Sequence, residues 1–259
     1  MTRIGVPGAA GRMGRFVIAK TAAAKDMKIG ALIERPGHEA VGTKAEGVVI
    51  SDDLRKVIND FDVYIDFTVP AATVAALPVL AEAGKAAVVA TTGLTQKELE
   101  VVKAAAIKIP VVYATNYSVG VNVMWKVLAE MTRLMKDDYD IDIVESHHRH
   151  KKDAPSGTAV TCAEVIMKAK GLDYEKNVIY GREGRENERP RDQLGVLAVR
   201  GGGVAGEHTV YFASDEDKLE LKHISFSRET FATGALKAAR FLAGGRKPGL
   251  YSMADVLGI

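Results

Sequence analysis

Arg3-Ile4-Gly5-Val6-Pro7-Gly8-Ala9-Ala10-Gly11-Arg12-Met13-Gly14 joins a short strand-like run to a glycine-spaced turn and then to a helical pattern. A pyrophosphate needs backbone N–H groups at a helix N-terminus and a chain with no side chains in the way. Glycines at a strand-to-helix turn supply both. The spacing, G-x-x-G-x-x-G, overlaps the G-x-G-x-x-G dinucleotide fingerprint without matching it, and a tight turn packed for structural reasons would use the same residues. The next strand-like run, Lys28 to Glu34, ends on a carboxylate twenty residues after Gly14, where it can accept hydrogen bonds from an adenosine ribose. Arg35 follows it. Glu34 disfavours a 2'-phosphate and Arg35 can pair with one, so the dipeptide predicts a site that takes both NADH and NADPH. The competing reading is an ordinary surface ion pair at a strand end.

Outward from this turn, the first 115 residues alternate strand-like and helical stretches, which predicts a parallel sheet covered by helices. Strands are expected at Arg3 to Val6, Lys28 to Glu34, Asp62 to Phe67, Ala86 to Ala90 and Val111 to Ala114. Helices are expected to start near Arg12, Asp52, Ala71 and Thr95, the last with Glu98 completing a capping box. Ala90-Thr91-Thr92-Gly93 and Ala114-Thr115-Asn116-Tyr117 then fall at carboxyl ends of parallel strands, where open α/β sheets bind ligands. Their small residues, hydroxyls and amide suit a nicotinamide carboxamide and ribose.

A helix follows from Val119 to Lys136, with Val123, Val127, Leu128, Met131 and Leu134 spaced as an apolar stripe. After it the period changes. Asp140 to Ile143 alternates with period two, and Gln193 to Arg200, Glu207 to Ala213 and Lys218 to Phe226 read as further strands in a mixed or antiparallel sheet. Leu219 and Leu221 share one parity while Ile224 and Phe226 take the other, which suggests a bulge near Lys222. Arg182 to Asp192 holds four basic and four acidic residues and reads as a solvated connector. A helix resuming from Arg228 to Gly244 returns the chain to its first domain. The expected division is residues 1 to 118 with 229 to 259, and residues 119 to 228.

The 259 residues, 47% of them hydrophobic, suffice for one large core or two smaller ones. With 35 Lys and Arg against 33 Asp and Glu, no global attraction to nucleic acid or to an anionic membrane is expected. The single Cys162 excludes an intrachain disulfide and fits a reducing cytosol. No stretch of 18 apolar residues and no N-terminal apolar leader is seen, so the chain reads as soluble, unexported and cytoplasmic.

Glu145-Ser146-His147-His148-Arg149-His150-Lys151-Lys152-Asp153-Ala154-Pro155-Ser156-Gly157-Thr158-Ala159 is the most informative stretch. Its six residues from His147 to Lys152 are all basic, and Pro155, Ser156 and Thr158 mark a helix start. Backbone amides at that N-terminus, beside hydroxyls and Lys151, form a receptor for a small substrate carrying two carboxylates. Zinc would need converging ligands, but adjacent His147 and His148 at a strand end point to opposite sides, so no metal is expected. Nucleic acid would need a larger basic face with aromatic interleaving. A merely solvated charge run is the remaining alternative.

This run resembles the E-x-H-H-R-H-K-x-D-A-P-S-G-T-A motif of the 4-hydroxy-tetrahydrodipicolinate reductase (dihydrodipicolinate reductase) family. Val6 to Gly14, Asn116 to Asn122, Gly206 to Val210, Ser227 to Gly234 and Pro248 to Leu257 extend the resemblance over essentially the whole chain. It implies a Rossmann-type doubly wound parallel sheet with a second α+β domain for substrate binding and oligomerisation, a homotetramer built through the second-domain sheets, and domain closure over ligands. The implied activity is NAD(P)H-dependent reduction of 4-hydroxy-tetrahydrodipicolinate to tetrahydrodipicolinate in diaminopimelate and lysine biosynthesis. His147 would be the general acid/base, and Lys151 a proton donor that also pairs with substrate. His148, Ser156, Gly157 and Thr158 would contact substrate. Cofactor contacts would fall on Gly8, Ala9, Ala10, Gly11, Arg12, Met13, Glu34, Arg35, Ala90, Thr91, Thr92, Ala114, Thr115, Asn116 and Tyr117. The chain departs from the family at Ala90, commonly Gly, at Tyr117, usually Phe, and at Pro7. Another nicotinamide-dependent enzyme, such as an amino-acid dehydrogenase, would share the glycine loop but has no need of the His147 to Thr158 constellation. A redox-sensing regulator would have no need of His147 and Lys151.

Overall fold

The computed structural model describes residues 1–185 and 188–259, so Glu186 and Asn187 of the charged connector lie outside the described residues. The chain divides into two compact units, Met1–Val119 with Arg228–Ile259, and Gly120–Ser227.

The first unit runs β1 (Thr2–Pro7), α1 (Arg12–Ala22), β2 (Met27–Ile33), β3 (Lys44–Ala45), β4 (Val48–Ser51), β5 (Val63–Asp66), α2 (Pro70–Glu82), β6 (Ala86–Val89), α3 (Gln96–Ala106) and β7 (Pro110–Tyr113). The long helix α4 (Val119–Met135) leads into the second unit, which holds β8 (Asp140–His147), α5 (Gly157–Lys170), α6 (Tyr174–Asn177), β9 (Val178–Ile179), β10 (Leu194–Arg200), β11 (Glu207–Ala213) and β12 (Lys218–Ile224). The chain then returns to the first unit with α7 (Glu229–Ala243), β13 (Gly249–Tyr251) and α8 (Met253–Leu257).

In the first unit the strand order is β13-β7-β6-β5-β1-β2-β4-β3, parallel except where the short β3 pairs with β4. Ile4, Val6 and Val88 pack with Val17, Ala235 and Ala239 on the side of α1 and α7. Ala31, Tyr64 and Val111 pack with Leu77, Leu80 and Val102 on the side of α2 and α3. Both faces are therefore covered, as a doubly wound parallel sheet requires. From β1 the chain steps to β2 on one side and later to β5 on the other, which opens a crevice at the carboxyl end of β1. Thr95 and Glu98 form the predicted capping box of α3.

The helix expected near Asp52 is only a single 3-10 turn, Arg55–Val57. The Val57 N–H bonds the Leu54 carbonyl at 3.3 Å and the Asp60 N–H the Val57 carbonyl at 3.0 Å, the three-residue spacing of a 3-10 turn. The short strands β3, β4, β9 and β13 are additional to the expected ones.

The second unit has a mixed sheet ordered β12-β11-β8-β10-β9. Met124 and Leu128 of α4 and Cys162 and Ile166 of α5 cover Ile141, Ile143, Val196, Val210 and Phe212 on one of its faces. On the opposite parity, Val199 is half exposed. Arg182 and Arg189 reach that side to bind Asp142 at 2.7 Å and Asp140 at 2.6 Å, so the charged connector is anchored rather than freely solvated.

Two details depart from the sequence reading. The buried stripe of α4 is Val121, Met124, Leu128 and Thr132, while Val123, Val127 and Leu134 are exposed. Apolar residues stand on two faces of this helix, and spacing alone fits either. There is no bulge near Lys222, because the β11–β12 register runs unbroken from Glu207↔Ile224 to Ala213↔Lys218. Leu221 packs on the core and Ile224 faces away from it, which an edge strand tolerates without a register shift. Among the described residues no helix is long and apolar enough to cross a membrane.

Candidate functional site

The carboxyl end of β1 opens onto a cavity of about 830 Å³ within the first unit. Gly8, Ala10, Gly11, Arg12 and Met13 line it from the glycine turn, with Glu34 and Arg35 beyond β2. Gly8 has φ of +60°, and a Cβ on Gly14 would lie 2.1 Å from the Gly8 carbonyl oxygen, so the turn can close only without those side chains. Gly11 caps α1 with no side-chain hydrogen bond, and no acidic residue sits in the first turn. The helix thus presents backbone amides to an anion. Glu34 Oε2 accepts from the Ala10 N–H at 3.1 Å, which brings the strand-end carboxylate onto the glycine turn. A backbone cradle, a strand-end carboxylate and an adjacent guanidinium in one cavity fit a dinucleotide.

Not all of the cofactor positions expected from sequence line this cavity. Ala9 is buried in the core. Ala90 and Thr91 are buried, and the Thr91 hydroxyl bonds Thr73 at 2.8 Å and Asp66 at 3.4 Å. Thr92 and Thr115 are exposed, whereas Ala114 and Asn116 are half-buried. Tyr117 is 1% exposed, and its hydroxyl donates to the Val112 and Val89 carbonyls at 2.9 and 3.0 Å. That hydroxyl belongs to the packing of β6 and β7.

Sequence reasoning overlooked Phe67, Thr68 and Val69, which line the cavity after β5, and Arg228, which lines it from the start of α7. Thr68 is held by Asp66, whose Oδ1 accepts from the Thr68 N–H at 2.8 Å and its hydroxyl at 2.6 Å. Burial pushes the Asp66 carboxyl up from the usual range, against these hydrogen bonds and those of Thr73 and Thr91. A charge inside the apolar run Val63 to Phe67 was the available signal.

The second cluster lies wholly in the second unit. The end of β8 and the start of α5 approach each other, and the fully buried Glu145 joins them. Its Oε2 accepts from His147 Nδ1 at 2.6 Å and from Arg200 Nη1 at 2.9 Å, and its Oε1 from Arg200 Nη2 at 2.8 Å and the Ser156 N–H at 3.0 Å. Burial opposes ionisation of Glu145, but the bonds from His147, Arg200 and Ser156 outweigh it and bring the carboxyl down to about 2. His147 is 8% exposed and packs edge-on to His208, with ring centroids 5.2 Å apart. Burial, then the neighbouring His147, lowers His208 to about 3, so His208 is neutral at physiological pH. Neither Glu145, Arg200 nor His208 was assigned a role from sequence.

Lys151 Nζ pairs with Asp153 at 2.8 Å in the loop between β8 and α5. Ser156 caps α5 and is buried, its hydroxyl accepting from the Ala159 N–H at 3.3 Å and lying 2.9 Å from His208 Nε2. Gly157 and Thr158 supply the next amides of the first turn. His148 begins the turn that carries Lys151, since the Lys151 N–H bonds the His148 carbonyl at 3.1 Å. Among the described residues no group of three or more His, Cys, Asp or Glu is arranged to hold a metal ion.

Comparison with known proteins agrees across the chain. The family model described as dihydrodipicolinate reductase, N-terminus, matches residues 2–117, and that of the C-terminus matches residues 120–257. A 4-hydroxy-tetrahydrodipicolinate reductase of Citrifermentans bemidjiense is 46% identical over the full length of both chains. One of Pseudomonas fluorescens is 47% identical over 99% of each. Among solved structures, a dipicolinate-bound dihydrodipicolinate reductase from a Paenisporosarcina species shares the fold, with a TM-score of 0.76 and 21% identity over 98% of each chain.

Proposed function

The chain belongs to the dihydrodipicolinate reductase family, and on that premise we propose how its own residues carry the reaction. It is an NAD(P)H-dependent oxidoreductase that reduces 4-hydroxy-tetrahydrodipicolinate to tetrahydrodipicolinate in diaminopimelate and lysine biosynthesis. A bound reduced nicotinamide supplies the hydride. The Gly8 to Met13 turn holds the pyrophosphate, Glu34 the adenosine ribose and Arg35 a 2'-phosphate when one is present. The loops at Ala90 to Thr92 and Ala114 to Tyr117 contribute to the nicotinamide side, Thr91 and Tyr117 through their backbone because their side chains are committed inward.

In the second unit, the first turn of α5 with Gly157 and Thr158, together with His148 and Lys151, receives the substrate carboxylates. Ser156 shapes that turn as its cap. Loss of the substrate's hydroxyl as water leaves a conjugated imine, and a hydride then added to one carbon leaves electron density on its neighbour, which must be protonated by a positioned acid. His147 provides that proton, and Lys151 supplies charge and a second donor beside it. The observation that carries this assignment is the single carboxylate of Glu145, which bonds both the His147 ring and the Ser156 amide and so fixes the acid relative to the carboxylate receptor.

Opposed charges at Glu34 and Arg35 support turnover with either NADH or NADPH. The exposed apolar residues Val199 and Ile224, on the sheet parity away from α4 and α5, support a homotetramer built through that sheet. The lone buried Cys162 fits a cytoplasmic enzyme. The test is to supply freshly made substrate and follow oxidation of NADH and NADPH separately. Both are expected to be consumed, in amounts that match the substrate added. Oxidation that does not depend on the substrate would contradict the reading.

A further inference from the structure

We propose that Glu145 and Arg200 form a positioning pair for the reaction: the carboxylate fixes His147 with Nδ1 as the donor, so that Nε2 delivers the proton, and the guanidinium balances the carboxylate's charge. The inference rests on the reading of His147 as the acid. Glu145 occupies a β8 position whose neighbours on the same face are Ile143 and His147, where an apolar residue would satisfy the core. A fully buried carboxylate there is costly unless paired and fully hydrogen-bonded. Three of its four bonds come from the Arg200 guanidinium and the Ser156 amide, which can only donate, and the ionised carboxylate is left as an acceptor toward its fourth partner, His147.

The hydrogen in the 2.6 Å contact accordingly sits on His147 Nδ1 in both the neutral and the charged ring. Only Nε2 then gains and loses a proton. A Cβ on Gly206 would stand 3.0 Å from Nε2, so that glycine leaves room at the working atom. An unbalanced carboxylate against Nδ1 would hold the ring in its charged form and make it a reluctant donor. Arg200 binds both carboxylate oxygens and offsets that charge. Its Nη2 also donates to the Asp153 carbonyl at 2.7 Å, which ties the Lys151 and Asp153 loop to the same pair. His208, which packs edge-on to His147, is neutral, and Lys151, in the loop that follows β8, is paired with Asp153.

The pair predicts opposite responses from its two members. Glu145→Gln leaves a guanidinium uncompensated beside the ring, and the alkaline limb of kcat/KM against pH moves to lower pH. Arg200→Gln leaves the carboxylate uncompensated, and the limb moves to higher pH. In ¹⁵N spectra of the histidine rings, the neutral His147 of the wild type carries its proton on Nδ1, and Glu145→Gln shows a mixture of tautomers. Loss of the limb in His147→Ala identifies the group being read. If that limb is lost but stays unmoved in both pair variants, and the tautomer is unchanged, the pairing alone is overturned. If the limb persists in His147→Ala, the acid assignment falls and the pairing with it.

Discussion

Acid should cost the wild-type protein stability that it does not cost Glu145→Gln. The folded state holds the Glu145 carboxyl at about 2, where burial is outweighed by bonds from His147, Arg200 and Ser156, whereas an unperturbed glutamate titrates at 4.5. Because the folded carboxyl is the stronger acid, the unfolded chain takes up its proton first as pH falls. The stabilisation is complete above about pH 5 and declines through the interval down to about 2. The gap of roughly 2.5 pH units, at about 1.4 kcal/mol each, is worth about 3 kcal/mol at neutral pH, of which about 2 kcal/mol is gone by pH 3. Urea unfolding at a series of pH values, with wild type and Glu145→Gln side by side, isolates this carboxyl from the other acids of the chain. Trp125 is the sole tryptophan and lies in α4, with its Nε1 donating to the Thr158 carbonyl at 3.4 Å, so its fluorescence reports the second unit. The wild-type advantage should shrink below pH 4.5. An advantage equal at pH 7 and pH 3, or one that grows on acidification, would refute the reasoning.

Gly14→Ala forces a methyl to 2.1 Å from the Gly8 carbonyl oxygen, so NADH binding measured by nicotinamide fluorescence should be lost or severely weakened. Arg35→Ala should weaken NADPH selectively, and most at low salt, where the ion pair with phosphate is least screened. Equal losses for both cofactors would make Arg35 a contact to the shared part of the dinucleotide. Tyr117→Phe removes a buried hydroxyl bonded to two strand-end carbonyls and should cost the first unit about 1 kcal/mol in thermal or denaturant unfolding while leaving cofactor affinity unchanged.

Features whose requirements are local were legible in the sequence. Gly8, Gly11 and Gly14 follow a strand and open a helix; Gly8 has a positive φ, and a Cβ on Gly11 or Gly14 would meet the Gly8 carbonyl oxygen within seven residues. The capping box at Thr95 and the N-cap at Ser156 are likewise satisfied by neighbours in the chain. What escaped reading depends on partners that folding brings from far away. Glu145 owes its role to Arg200, 55 positions on, which carries no local mark. Arg228 joins the glycine-turn cavity only because the chain returns to the first unit. The stripe of α4 is ambiguous in the sequence for a related reason. Val123 and Val127 are as apolar as Val121 and Met124, and only the position of the second sheet selects which face is buried.

The claim that His147 donates the proton is tested most directly by comparing turnover with cofactor binding in His147→Ala. Single-turnover oxidation of NADH with freshly made substrate should slow by about 10² to 10⁴, the usual worth of a general acid. The dissociation constant for NADH should stay at its wild-type value, since His147 lies in the second unit and the glycine-turn cavity is lined by the first. Near-normal turnover in this variant would contradict the account and move the acid to another group, His148 or Lys151.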